Sequence, residues 1–196
     1  MNLTSFEISK KSETFDFEVW SHGNDFLQTE SHEIFFWGNH RDSSFDNEVY
    51  SINLKTSKIS AVYKPFVGQS PQGFFNKKAS NMFPASRTST ALTFDSSRNL
   101  LFLFGGVRFS DDTANDGVMN DLWSFSITSG KWVLLSGQAT PGAIGKFPQQ
   151  LKKKGKLFQP PARFTASTFI SGDYFYVFGG GANSAGSVCK PIQFYY

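Results

Sequence analysis

The strongest constraint on the fold is an internal repeat, in which an apolar run ends on a glycine pair and an aromatic strand follows. Residues 100–106 read LLFLFGG and residues 173–180 read DYFYVFGG. Residues 33–39 read EIFFWGN, a degenerate copy that keeps one glycine, Gly38. Upstream of the two full copies, 85–91 (ASRTSTA) matches 161–167 (PARFTAS), each with an arginine, Arg87 or Arg163, ahead of small and hydroxylated residues. Downstream, 120–125 (NDLWSF) aligns with 47–52 (NEVYSI), and a turn follows each: TSGK at 128–131 and KTSK at 55–58. Phe125 stands seven residues before Trp132, as Ile52 stands seven before Ile59. A repeat of this kind has to be recognised before any local reading, because it determines the architecture.

Each full repeat reads as four short strands. In the second repeat they are predicted at about 87–94, 100–105, 121–127 and 131–135. Between 122 and 127, Leu, Ser and Ser alternate with Trp, Phe and Ile, the period of a half-buried strand. LLFLF has no polar face and suits a strand covered on both sides. Gly105-Gly106 and Gly179-Gly180 let the chain turn with positive φ, or approach a neighbour closely, just after a buried strand. A phosphate-binding glycine loop would need a helix to begin there, whereas VRFSDDTANDG is turn-like. No segment has helical amphipathicity. Aromatic residues at 17%, with 23 Phe and 17 Gly, agree with short strands and tight turns, hence an all-β protein.

Hydrophobic residues at 39% suffice for a core, and charged residues at 18% are too few for a disordered chain. A net charge of +3 is too mild to imply nucleic-acid binding. The single cysteine, Cys189, excludes an intrachain disulfide and fits a reducing compartment as a packed thiol. The N-terminus has no apolar run of the signal-peptide kind, and no stretch is apolar enough to span a membrane. The expected location is the cytoplasm.

The apolar run, the glycine pair, Trp123 or Phe125 in the third strand, and Trp132 soon after together resemble the kelch repeat family. The match is good in the second repeat and the first half of the third. It is poor in the first, where Asn39 replaces the second glycine and Ile59 the tryptophan. The resemblance covers about residues 30–196 and rests on Gly38, Gly105, Gly106, Trp123, Phe125, Trp132, Gly179 and Gly180. It implies a β-propeller in which each repeat forms one four-stranded blade. Blades are expected at about 30–65, 84–136 and 160–196, after an N-terminal segment at 1–29.

Propellers carry about 4–8 blades, so three do not close a ring. The first glycines of the three motifs stand at 38, 105 and 179. Aligned on the second repeat, 193–196 falls in the third strand of the last blade, which would leave an apolar edge. Three explanations compete. The expected one is that the sequence belongs to a longer protein. Alternatively, 14–20 (TFDFEVW), which alternates at period two, supplies the missing strand, or another chain completes the sheet by self-association through open blade edges.

Loop asymmetry is the functional clue. The connections 95–99, 128–130 and 171–173 are short, whereas 39–46, 63–84, 107–119 and 136–161 are long and in a propeller would share one face. The 107–119 loop carries Arg108, Asp111, Asp112 and Asp116, without EF-hand spacing. The 136–161 connection carries Lys152, Lys153 and Lys154 beside Lys146 and Lys156. The 63–84 connection carries Phe66, Phe74, Phe75, Met82 and Phe83, which either tuck against the blades or form a patch. Arg87 and Arg163 either read an acidic partner from the channel mouth or satisfy backbone carbonyls between blades. The expected function is a non-catalytic scaffold that binds a partner protein through Arg87, Arg163, Arg108, Asp111, Asp112, Lys152, Lys153 and Lys154. No cofactor or metal is expected. The enzymatic alternative is an oxidase or isomerase-like site in the channel. A copper site needs converging ligands, but His22, His32 and His40 all lie in the first repeat, and no Ser-His-Asp or Cys-His pattern stands out. A truncated chain with no independent function is the third alternative.

Overall fold

The computed structural model describes residues 26–28, 33–37, 40–41, 44–45, 47–56, 58–64, 81–108, 117–145, 159–182 and 192–195. Among these residues the protein is all-β and antiparallel, with no helix and so none long and apolar enough to cross a membrane. The 14–20 segment and Gly38 lie outside the described residues.

Three meander sheets follow one another along the chain. The first contains β1 (Phe26–Gln28), β2 (Glu33–Trp37), β5 (Val49–Asn53) and β6 (Lys58–Tyr63), with a small hairpin of β3 (His40–Arg41) and β4 (Ser44–Phe45) between β2 and β5. The second contains β8 (Ala91–Asp95), β9 (Leu100–Phe104), β12 (Leu122–Ser126) and β13 (Lys131–Ser136). The third contains β14 (Ser167–Ser171), β15 (Tyr174–Phe178) and β16 (Ile192–Tyr195). A satellite sheet joins β7 (Arg87–Thr88), β10 (Val107–Arg108) and β11 (Gly117–Val118).

The repeat is preserved in the pairing register. Phe36 faces Tyr50, Leu103 faces Trp123 and Val177 faces Ile192. The first member of each pair stands two residues before its motif glycine. The ladder also slips at equivalent places, between Val49 and Tyr50 in the first sheet and between Leu122 and Trp123 in the second. A β-bulge repeated at one position is a designed bend in the strand.

The predicted first strand at 87–94 is two strands in the structure. Ser89 sits at φ 55°, in the left-handed region. The backbone therefore turns between β7, which pairs with β10, and β8, which pairs with β9. Thr165, at the matching place in the third repeat, has φ 51°, and its N–H donates to the Ser89 carbonyl at 2.8 Å. The bend belongs to the repeat and joins the second sheet to the third.

The core lies between the sheets. Strand β9 sends Leu101 and Leu103 to one side, where they pack with Phe35, Val49, Trp123, Phe125 and Trp132. It sends Phe102 and Phe104 to the other, against Phe175, Val177 and Ala166. That is the physical reason for an apolar run without a polar face. Met82 and Phe83 tuck against the first of these clusters, whereas Phe66, Phe74 and Phe75 lie outside the described residues. Tyr63 meets Phe125 and Trp132 edge-on, and burial pushes its phenol up to about 12.

Gly106 has φ +93°, and a Cβ there would lie 2.7 Å from both the Thr88 carbonyl oxygen and Thr90 Cγ2. Gly130 has φ +64° with open space around it. Gly106→Ala is expected to destabilise the fold by about 2–3 kcal/mol, through strain plus overlap, and Gly130→Ala by only about 1 kcal/mol. Urea unfolding midpoints of the two variants check the difference.

Candidate functional site

In a meander the connections alternate between the two ends of the sheet. The second and third sheets run the same way. Their first strands start together at Ser89 and Thr165, and their first turns meet at Arg98 and Asp173. Turns 96–99, 127–130 and 172–173 therefore share one end, and residues 105–108, 117–121 and 179–182 lie at the other.

At the short-turn end, Asp95 organises its own turn. Its Oδ1 accepts from the Ser97 N–H at 2.9 Å, the Ser97 hydroxyl at 2.6 Å and the Arg98 N–H at 3.1 Å. Its Oδ2 accepts from Arg98 Nη1 at 2.7 Å, and Arg98 also pairs with Asp173 of the third sheet. Burial alone would push the Asp95 carboxyl up, but the hydrogen bonds from Ser97 and Arg98 and the Arg98 charge outweigh it and hold it below its ordinary value. A lowered carboxylate pKa stabilises the fold above the ordinary value of 3.8, and this stabilisation is lost as pH falls through the lowered one. Asp95→Asn is therefore expected to flatten the loss of stability below about pH 4, measured as urea midpoints from pH 7 to pH 3.

At the long-connection end, the arginines expected to touch a partner are turned inward. Arg87 Nε donates to the Ala85 carbonyl at 3.0 Å, and Nη1 to the Gly105 carbonyl at 3.1 Å. Its guanidinium forms a bidentate pair with Asp121, Nη2 reaching Oδ2 at 2.9 Å, and both side chains are fully buried. Trp123 Nε1 donates to the same Oδ2 at 2.7 Å. Arg163 repeats part of this pattern, with Nε on the Pro161 carbonyl at 3.3 Å and Nη1 on the Gly179 carbonyl at 2.9 Å. Counting two residues before Ile192, as Asp121 stands two before Trp123, gives Lys190, so the carboxylate is not repeated in the sequence. Arg87 and Arg163 thus hold backbone carbonyls, but carbonyls of their own repeat and not, as expected, between repeats, and burial removes them from a partner surface. Arg108 is corrected in the same way: it is buried beside Arg87 in the β7–β10 ladder, with Nη1 on the Ala139 carbonyl at 3.2 Å.

Two asparagines complete these junctions. Asn47 Nδ2 donates to the Pro84 carbonyl at 3.4 Å, and Asn120 Nδ2 to the Pro160 carbonyl at 3.0 Å. Each proline stands three residues before its arginine, Arg87 or Arg163. Asn47 and Asn120 align in the sequence, but their role was not legible there because the acceptors are backbone atoms of the following repeat. Ion pairing by Asp121 and Arg98 was equally hidden.

What remains at this end is the stems of two loops. Asp111 and Asp112, and Lys152, Lys153 and Lys154, lie outside the described residues, in 109–116 and 146–158. Their stems are pinned side by side. The Gly142 N–H donates to the Val118 carbonyl at 2.8 Å, Arg108 holds the Ala139 carbonyl, and the Ala162 N–H donates to the Ala143 carbonyl at 2.8 Å. Ile144, on the second stem, is 88% exposed. The fold thus brings the described residues that flank these two segments to one place, with the exposed Ile144 side chain beside them. Among the described residues no group of three or more His, Cys, Asp or Glu side chains comes together. No protein-family model matches this chain, and no curated protein matches it.

Proposed function

We propose that this chain is a kelch-type β-propeller scaffold, each meander sheet being one blade, which binds a partner protein through the loops gathered at its long-connection end. Three features support the blade reading. Register and bulge repeat from sheet to sheet. A glycine pair with positive φ closes the central strand of the second and third sheets. The first strands lie beside one another, as inner strands around an axis do: β8 neighbours both β1 and β14, Thr93 is hydrogen-bonded to Thr168, and Thr168 Oγ1 reaches the Leu92 carbonyl at 3.4 Å.

The observation that carries the binding reading is the pinned pair of stems. The residues flanking the 109–116 and 146–158 segments are hydrogen-bonded together, which supports a partner being met by the acidic and the basic side chains of those segments. Ile144 supplies an apolar anchor next to them, the arrangement of a small hot spot with a polar rim. The role is recognition, with the buried arginines serving the scaffold.

The test compares proteins retained by the wild type with those retained by three variants: Ile144→Asp, a glycine-serine replacement of 109–116, and Asp173→Ala at the opposite end. A partner kept by wild type and Asp173→Ala but lost by the other two, with unchanged unfolding midpoints, is the expected result. A partner lost only with Asp173→Ala would move the binding face to the short-turn end and sink the reading.

A further inference from the structure

The stem that leaves β13 carries no charged side chain. Residues 136–145 read SGQATPGAIG. Two hydrogen bonds fix its middle from different strands. Arg108 Nη1 donates to the Ala139 carbonyl at 3.2 Å, and the Gly142 N–H donates to the Val118 carbonyl at 2.8 Å. Pro141 lies against Gly117, where a Cβ would come within 3.0 Å of the proline Cβ. Thr140 stands between these two anchors and is exposed. Among the described residues it is the one hydroxyl-bearing residue that directly precedes a proline. A following proline disfavours the helical region for Thr140. That suits the extended form in which a protein kinase takes up its substrate segment.

The ground behind the stem is cationic. Arg108 on β10 stands directly opposite Arg87 on β7, so the two side chains share one face of the ladder. Like charges so placed repel each other. Asp121 offsets the charge of Arg87 in a fully buried bidentate pair. Asp121 also lies against the stem, since a Cβ on Gly137 would be 2.3 Å from its Cα. The charged groups placed behind the stem are thus Arg108, Arg87 and Asp121, two guanidiniums and one carboxylate. A negative group on Thr140 would sit one residue from the carbonyl that Arg108 holds.

We propose that Thr140 is a phosphoacceptor for a proline-directed protein kinase, and that its phosphoryl group is held by Arg108. In the transfer, Thr140 Oγ1 bonds to the γ-phosphorus of a nucleoside triphosphate as the bond from that phosphorus to the β–γ bridging oxygen breaks. Nucleoside diphosphate leaves, and the hydroxyl proton passes to the catalytic base of the kinase. The phosphothreonine carries about −1.5 to −2 charges at pH 7 and three acceptor oxygens. Beside a guanidinium these form charge-assisted hydrogen bonds. The modification also places an anion on the same stem as Ile144, where the unmodified stem is uncharged. The inference does not depend on the binding reading above.

The experiment incubates the full 196-residue chain with ATP and a proline-directed serine/threonine kinase, and maps phosphate by mass spectrometry. The expected product has a phosphoryl group on Thr140 and keeps its unfolding transition by circular dichroism. Thr140→Val should lose the modification at this position, Pro141→Ala should lose most of it, and Thr140→Ser should keep it. Phosphorus NMR then reads the contact with Arg108. The second ionisation of the phosphate is expected below its ordinary value of about 6 in the folded chain, and back at about 6 in urea. A lowered value means stability that is present above about pH 6 and lost as pH falls through the lowered value. Arg108→Gln should return the folded value toward about 6. Arg108→Lys keeps the charge and should hold the value down, which covers the case in which the glutamine variant does not fold. Phosphate that enters only at other hydroxyls, a Thr140 that accepts it only in unfolded chain, or a folded phosphate that titrates at about 6 overturns the proposal.

Discussion

Asp121→Ala is expected to destabilise the protein by about 3–5 kcal/mol, because it strands the Arg87 guanidinium inside the fold without its counter-charge. Both side chains are fully buried, and the carboxylate also accepts from Trp123. The carbonyls of Ala85 and Gly105 still accept from two nitrogens of the guanidinium, but neither neutralises the charge. A charge-free pair, Arg87→Met with Asp121→Leu, should cost clearly less than Asp121→Ala alone, since nothing charged is then left buried. Chemical denaturation of the single and double variants measures both. A single variant within about 1 kcal/mol of wild type would show that the pair is not buried as described.

Phe125→Ala is expected to cost about 3–5 kcal/mol, the range for a large aromatic removed from a filled core. Phe125 is fully buried, 4.9 Å from the Trp132 ring centroid and 5.6 Å from that of Tyr63. Tyr63 belongs to the first sheet and the other two to the second, so the cavity opens between sheets. The loss should appear in one cooperative unfolding transition, because the two core clusters share β9. A variant in which the first sheet melts separately would mean that the sheets are coupled more weakly than their packing indicates.

These two residues illustrate different degrees of legibility. Phe125 was readable because its signal is local: strand alternation, and a seven-residue spacing to Trp132 repeated at Ile52 and Ile59. Asp121 was not, since a carboxylate at the start of a strand looks the same whether it is solvated or paired. Its partner stands 34 residues away and is brought to it by the folding of β7 beside the second sheet. The same holds for Met82 and Phe83, which the sequence left open between a patch and a tuck, and which the packing against Trp123 and its neighbours decided.

The candidate site divides in the same way. Long connections alternating with short ones were legible from spacing alone, because loop length is a property of the chain. Which charged residues face outward was not. Arg87, Arg163 and Arg108 were grouped with the loop charges by sequence, and the structure separates them by burying all three against carbonyls of neighbouring segments. Nor could spacing show that Val118 and Gly142, on two different connections, are hydrogen-bonded and hold the loop stems together.

Short-range physics was thus written in the sequence. Alternation specifies strands, an apolar run on both faces specifies a central strand, and glycine pairs specify the turn after it. Repetition of these signals determines an all-β chain of successive similar sheets. Only the tertiary structure decided the bend at Ser89, the inward path of the arginines and the joining of the stems at Val118 and Gly142. Each of these depends on groups far apart in the chain, and their meeting is a consequence of how whole sheets pack.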